Sequence, residues 1–352
     1  MNSNVSRTSS AQTPQARTRQ AATIASLFLG LALAGPVSTV VHAQEVRAGK
    51  QPSSTSSQRH QQSAFYQFRL GEVEIVALSD GTVPQDLHAL LQGVSASQID
   101  EILNRAFMAN PVEASINAYL VKVGRRIALI DTGAGAFFGP GVGGKLVKSL
   151  DSAGYRPDQI TDVLLTHIHT DHNGGLVDAK GLIVFRNATI HVGQADLDFF
   201  LAPGNQKGVG NYDKSYFQQA TQSLQPYVKA GKVNGFRAAQ DTLPGLKAVP
   251  TPGHTPGHAF FVLESKGETL EFLGDILHVQ SVQMGRPDIT IVYDVEQPAA
   301  QSQRKAQFAR LAEQRRMVAG AHLPFPGFGH IRHEDSGFTY VPTDYRNRVG
   351  SR

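Results

Sequence analysis

Between Thr166 and Gly175 the chain reads THIHTDHNGG, three histidines and an aspartate within six residues, closed by two glycines. Imidazole and carboxylate together, with no sulfur, suit zinc, and also manganese, cobalt or iron. The 352 residues include no cysteine, which excludes disulfides, thiolate nucleophiles and thiolate metal ligands. His167 and His169 stand two apart at the end of the apolar run DVLLTH. If that run is a strand, the two side chains point the same way and can share an ion. Asp171 and His172 follow where the chain turns, so they can face a second ion. Gly174 and Gly175 allow a tight turn with no Cβ in the way. Four side chains do not close two sites, so any fold carrying this turn must bring further donors from elsewhere.

Three stretches offer them. TPGHTPGH, residues 251–258, presents His254 in a loop braced by Pro and Gly. FLGDIL presents Asp275 at a strand end, where one carboxylate can bridge two ions. GAHLPFPGFGH presents His322, which reads as following the last long helix. The candidate ligands are then His167, His169, Asp171, His172, His254, Asp275 and His322.

The organisation is that of one folded domain behind an export signal. Arg17 and Arg19 precede the apolar run AATIASLFLGLALAG, and VHA at 41–43 offers a small-residue cleavage site before Gln44. Residues 1–43 therefore read as a signal peptide, which places the mature chain in the periplasm or outside the cell, with no membrane attachment after cleavage. Residues 44–63 are rich in Ser and Gln and read as a flexible linker. Residues 64–352 form the domain. Residues 1–43 contribute three arginines and no acid, and the remainder holds 30 basic against 29 acidic residues. A nearly neutral mature chain gives no basic patch for nucleic acid; the expected partner is a small-molecule substrate.

Within the domain, FRLGEVEIVALSDG predicts a strand pair, and INAYLVKVGRRIALIDTG predicts two strands around a Gly-Arg-Arg turn. Leu146, Val147, Leu150 and Ala153 make a helical stripe that Gly154 can cap. ATIHVG predicts a strand followed by a helix over 196–201. Residues 203–214 are rich in Gly and Asn and read as an exposed loop. HAFFVLES and LEFLGDIL are late strands, and Pro298 opens a helix expected to run to Gly320. Strands, helix, more strands and helix fit an α/β (α+β) sandwich of two sheets with helices outside.

The metal turn resembles the His-x-His-x-Asp-His signature of the metallo-β-lactamase fold superfamily. GEVEIVALSDGTV, LIDTGAGAFFGP, SAGYRPDQI, GHTPGHAFFVLES and HLPFPGFGHI resemble more narrowly the methyl parathion hydrolase group of that superfamily, across nearly the whole mature chain. The resemblance implies a four-layer αββα sandwich and two divalent ions, zinc foremost. It implies that His167, His169 and His254 hold one ion, that Asp171, His172 and His322 hold the other, and that Asp275 bridges. A water or hydroxide shared by the ions would then attack ester, lactone or phosphotriester bonds, with Asp171 and Asp275 as the catalytic carboxylates. Asp131 of LIDTG is expected to hold a metal-site histidine in place; His258 and His330 are further candidates for that role or for plain structural positions. Phe138, Phe199 and Phe200 are candidates for an apolar pocket or for ordinary core. His278, three residues after Asp275, stands where an apolar pocket residue is expected; an imidazole there makes the pocket more polar and leaves lactones and esters open beside organophosphates. Relatives of this kind are often homodimers.

Other readings are weaker. DTG at 131–133 and DSG at 335–337 mimic an aspartic protease pair, but Asp335 lies too near the C-terminus for a second lobe. GPGVGG at 139–144 matches a dinucleotide fingerprint only with Pro140 inside it and reads better as a glycine-rich loop beside the site. Redox di-iron relatives carry Glu where this chain has His169, and a flavin domain besides. Acyl-homoserine lactonase, β-lactamase and a non-catalytic metal-binding protein remain as alternatives.

Overall fold

The computed structural model describes residues 64–210 and 212–347, so the signal peptide and linker read from 1–63 lie outside the described residues. Two seven-stranded sheets carry the domain. Sheet one runs in chain order through β1 (Phe65–Leu70), β2 (Val73–Gln85), β3 (Val112–Val123), β4 (Arg126–Ile130), β5 (Asp162–Leu164), β6 (Thr189–Gly193) and β7 (Val233–Phe236). The first four strands are antiparallel and the steps from β4 to β7 are parallel. Sheet two continues through β8 (Gln240–Leu243), β9 (Leu246–Pro250), β10 (Ala259–Ser265), β11 (Glu268–Phe272), β12 (Met317–Ala319), β13 (Phe328–His333) and β14 (Phe338–Pro342). Its one parallel step is β11 to β12. Parallel neighbours need a long crossover, and helices supply it: α1 (Ala96–Arg105) precedes β3, while α2 (Leu146–Ser152), the short α3 (Thr170–Asn173), α4 (Gln194–Phe200), α5 (Lys214–Lys229) and α6 (Gln297–Glu313) make the crossings.

Side-chain alternation sorts these elements into four layers. In β2, Ile75 and Ala77 point to one face and Val76 and Leu78 to the other, and all four are buried. Ile75 and Ala77 join a core between the sheets, with Phe261, Leu263, Leu270 and Phe272 opposite them. Val76 and Leu78 join a second core, closed by Leu146 and Leu150 of α2, Phe200 of α4, and Phe217 and Leu224 of α5. On the far side of sheet two, Phe260, Val318 and Ile331 pack on Phe308 and Leu311 of α6. Helices, sheet, sheet and helix follow in that order, the αββα sandwich that the resemblance implies.

Three local readings are corrected. Val147 is exposed, because the buried face of α2 is Leu146, Ser149 and Leu150. The helix opened by Pro298 ends at Glu313 instead of Gly320; Arg315 takes a left-handed φ of 52° and β12 intervenes. His322 therefore follows a strand. The stretch 203–214 is no plain exposed loop: Gly208–Val209 pairs with Tyr212–Asp213, and Tyr212 is buried.

The C-terminal ends of the parallel strands set the site, as is common in α/β sheets. Asp131 follows β4, the Thr166–His172 turn follows β5, Asp275 follows β11 and His322 follows β12. The loop holding His254 links β9 to β10. Among the described residues no helix is long and apolar enough to cross a membrane.

Candidate metal centre

The seven donors picked out in the sequence meet at this edge. His167 Nε2 and His254 Nε2 lie 3.0 and 2.9 Å from His169 Nδ1, and Asp275 Oδ2 is 3.6 and 3.4 Å from the same two Nε2 atoms. The other oxygen of Asp275, Oδ1, faces His172 Nε2 at 3.1 Å and His322 Nε2 at 3.2 Å. Asp171 Oδ2 completes that second group, 3.7 Å from His172 and 3.5 Å from His322. The donor atoms of His167, His169, His254 and Asp275 all lie within 4.8 Å of one another, and so do those of Asp171, His172 and His322. One carboxylate thus reaches both groups, with His322 Nε2 3.2 Å from each of its oxygens. β5 ends at Leu164, so His167 and His169 converge from an irregular turn and not from the strand itself.

Hydrogen bonds fix which ring nitrogen each histidine offers. His172 Nδ1 donates to Asp131 Oδ2 at 2.8 Å, His254 Nδ1 to Asp294 Oδ1 at 2.8 Å, and His322 Nδ1 to the Ser115 carbonyl at 2.7 Å. Thr166 Oγ1 donates to Asp131, so it accepts from His167 Nδ1 at 3.1 Å. Each of these four histidines therefore turns Nε2 inward, where a cation or a second proton can sit. His169 is the exception. The Tyr212 hydroxyl donates to the Tyr293 carbonyl and accepts from His169 Nε2 at 3.1 Å, which leaves Nδ1 facing the cluster. A lone pair turned toward a carboxylate is repelled unless positive charge lies between them. His172 Nε2 and Asp275 Oδ1 form such a facing pair, both buried without a hydrogen-bond partner. Burial opposes charge on His254, yet its hydrogen bonds and charge contacts with Asp275 and Asp294 outweigh it and lift the pKa to about 9. Burial likewise opposes ionisation of Asp275, and the surrounding imidazoles, led by His172 and His322, hold it well below the usual carboxylate range. The donor set fits two divalent cations.

The supporting residues differ in part from the sequence reading. Asp131 holds His172 and also accepts from Thr166 N at 2.8 Å; its φ of 59° is left-handed, a strained conformation these bonds retain. His258 is buried and neutral, its pKa pushed down to about 3 by burial, and its Nε2 accepts from the backbone N–H of Asp275 at 3.0 Å. It holds the Asp275 backbone and no metal-site imidazole. His278 lies 3.0 Å from Asp275 Oδ2, stacks on His322 and lines the cleft beside the donors. His330 is corrected: it sits on β13 opposite Met317, at the start of β12, whereas His322 follows the end of β12, and its Nδ1 bonds the Arg316 carbonyl. Phe199 and Phe200 are corrected as pocket residues. They pack with Phe217 beneath α4 and α5, and Phe200 only backs His169 edge-on. Phe138 does line the cleft.

Several residues carried no spacing signal. Asp294 orients His254, and the fully buried Arg304 lies 3.4 Å from its other oxygen. Asp80 accepts from the N–H groups of Ala134, Gly144 and Leu146 and shapes the loop after β4. Asp196 accepts from Ile168 N at 2.9 Å, Thr255 Oγ1 at 2.9 Å and Gly257 N at 2.5 Å, tying the β5 turn to the His254 loop. Burial raises its pKa to about 6 against those bonds. Asp196→Ala leaves three buried donors unpaired and is expected to cost about 3–5 kcal/mol of stability, readable by urea unfolding; a change under about 1 kcal/mol would mean that water replaces the carboxylate.

Of the donors, His169, Asp171 and Asp275 line a cleft of about 270 Å³, walled by Val83, Gln85, Phe138, Tyr216 and Tyr293. Residues 112–322, which hold all seven donors, match the family model described as the metallo-beta-lactamase superfamily. The chain belongs to that superfamily. A crystal structure of the hydrolase AbOPH, in the same superfamily, is 34% identical and covers 82% of this chain and 100% of its own, with a TM-score of 0.77. AidC, a dizinc quorum-quenching lactonase solved with a product, N-hexanoyl-L-homoserine, is 28% identical over 81% of this chain and 99% of its own, with a TM-score of 0.73. Among curated relatives, an N-acyl homoserine lactonase of Bacillus cereus is 25% identical over 37% of this chain and 43% of its own. A probable metallo-hydrolase of Mycobacterium bovis is 24% identical over 43% of this chain and 47% of its own. The chain thus spans less than half the length of these two curated relatives.

Proposed function

We propose that the protein is a dinuclear metal-dependent hydrolase of uncharged ester-type bonds: lactones and carboxylic esters, and phosphotriesters in the manner of the methyl parathion hydrolase group. The observation that carries this reading is Asp275, whose carboxylate reaches two histidine groups and lines an open cleft. His167, His169 and His254 would hold one ion and Asp171, His172 and His322 the other, with Asp275 between them; zinc suits the imidazole-rich set best. Two such ions would supply Lewis acidity to the substrate's carbonyl or phosphoryl oxygen and would bring the pKa of a water toward neutrality.

The chain's own residues do the remainder. Asp171 has a side chain 18% exposed, more open than the other donors, and lines the cleft. It is placed to accept a proton from the attacking water and to orient it. Tyr212, Asp131, Asp294, Thr166 and the Ser115 carbonyl keep each imidazole's proton on the outward nitrogen, as metal-site partners do elsewhere. Among the described residues no Lys or Arg lines the cleft, and the carboxylates in its lining are Asp171 and Asp275, which would be ligands of the ions, and Asp213. The lactonase reading gains weight from AidC. Export through residues 1–43 is part of the proposal, tested by N-terminal sequencing of the mature chain for a start at Gln44.

The test is a rate comparison of the metal-loaded protein on homoserine lactones, aryl esters, paraoxon-type triesters and β-lactams. Asp171→Asn is expected to lower kcat by at least about 10²-fold while leaving the unfolding midpoint of the metal-free protein close to that of the parent. Activity surviving that change would remove Asp171 from its role. No turnover of any of the four classes would favour a non-catalytic metal-binding protein.

A further inference from the structure

His278 is a buried imidazole with no hydrogen bond to either ring nitrogen. Leaving buried ring nitrogens unpaired is costly, and a native fold rarely does so without a use. The backbone here is well held: His278 N donates to Gln283 Oε1 at 2.8 Å, and Gln283 Nε2 donates to the Ile289 carbonyl at 3.1 Å. Packing alone fixes the ring. It stacks on His322, with centroids 5.3 Å and planes 20° apart, and lies against His254 and Tyr293.

That packing brings Nε2 up to the donors. It lies 3.0 Å from Asp275 Oδ2 without making a hydrogen bond, the relation that His172 Nε2 has to Asp275 Oδ1 at 3.1 Å. One donor atom from each of Asp275, His278 and His322 lies within 4.8 Å of the other two, and all three residues are buried. Asp275 and His322 already belong to the paired sites. An imidazole nitrogen has one lone pair, so His322 serves one ion at a time. The trio therefore overlaps the site of Asp171, His172 and His322 and adds no third ion. It is also the weaker of the two. Thr166, Tyr212, Asp131, Asp294 and the Ser115 carbonyl anchor the outward nitrogens of the five other imidazoles, whereas Nδ1 of His278 has no such anchor.

We propose that Asp275, His278 and His322 form an alternative seat for the second divalent ion, overlapping the one built from Asp171, His172 and His322. This rests on the dinuclear reading and adds a donor outside its set. Occupation of that seat would leave the Asp171 carboxylate uncoordinated and free to accept a proton. The test is zinc stoichiometry, read by equilibrium dialysis and elemental analysis, with free zinc well above the level that fills the parent. Asp171→Ala combined with His172→Ala is expected to keep the second equivalent of zinc, and adding His278→Phe to that pair is expected to remove it. His278→Phe alone is expected to keep both ions, because the first-named seat of the second ion remains. Loss of the second ion in the double variant overturns the inference. So does its retention in the triple variant, or its loss in His278→Phe alone; in all three cases a parent that binds two ions leaves the dinuclear reading standing. A parent that binds one ion sinks both. If the double variant does not fold, a crystal of the zinc-loaded parent replaces it: anomalous density about 2.0–2.1 Å from a ring nitrogen of His278 is expected, and none within that reach overturns the seat.

Discussion

Asp275→Asn is expected to reduce bound divalent metal from two ions per chain to one or none, and to lower kcat/KM by at least about a thousandfold, ~4 kcal/mol of barrier. The reason is electrostatic. Asn keeps the shape but has one acceptor oxygen where Asp has two, and it carries no charge. Oδ1 and Oδ2 of Asp275 face His172 and His322 on one side and His167 and His254 on the other, so neither group keeps its shared anion. Elemental analysis after reconstitution reads the metal content, and thermal unfolding gives a second readout. With each site of the parent saturated about a thousandfold over its Kd, metal binding adds about 4 kcal/mol per site, which the variant should forfeit in large part. A variant that retains two ions with parental affinity would refute the bridging assignment.

Gly175→Ala is expected to abolish stable folding or to cost at least about 3–5 kcal/mol. A Cβ at this position would lie 2.0 Å from the Thr132 carbonyl oxygen. That oxygen is backbone, and its neighbourhood is locked: Thr132 N donates to the His172 carbonyl at 2.7 Å, and Gly175 N donates to the Gly133 carbonyl at 3.0 Å. Relief would require separating the β4 and β5 turns, which carry Asp131 and the histidine cluster. Soluble yield and denaturant midpoint check the prediction; a midpoint within about 0.5 kcal/mol of the parent would show that the turns move apart easily. The tight turn read from Gly174 and Gly175 is present as a 3₁₀ turn over Gly174–Leu176, and it is also a point of close backbone approach.

How much was legible follows from where each signal resides. The four donors of the β5 turn are near neighbours in sequence, and His254, Asp275 and His322 each close a motif of apolar, Gly or Pro residues, so their pattern could be read. The double alternation of IVAL in β2 likewise marks a strand buried on both faces. Asp196 and Asp294 could not be found this way. Each acts on a partner tens of residues distant, from segments whose local composition is ordinary. Tyr212 was hidden by its surroundings: glycines and asparagines suggest exposure, and only packing against Tyr216 and His169 reveals that the ring is inside. Helix α5 was missed because its first half is polar outside Tyr216 and Phe217, and its burial is decided by contact with α4 and the β5 turn. His330 misled because a histidine near HLPFPGFGH looks local to His322, although the hairpin returns it toward the opposite end of β12.

The donors divide by origin: His167, His169, Asp171 and His172 come from loops of sheet one, and His254, Asp275 and His322 from loops of sheet two. Neither half of the sandwich owns a complete coordination shell. On the proposed reading, ion capture would report assembly, because tight uptake would require the two halves to have docked in register, and each captured ion would in turn clamp them together.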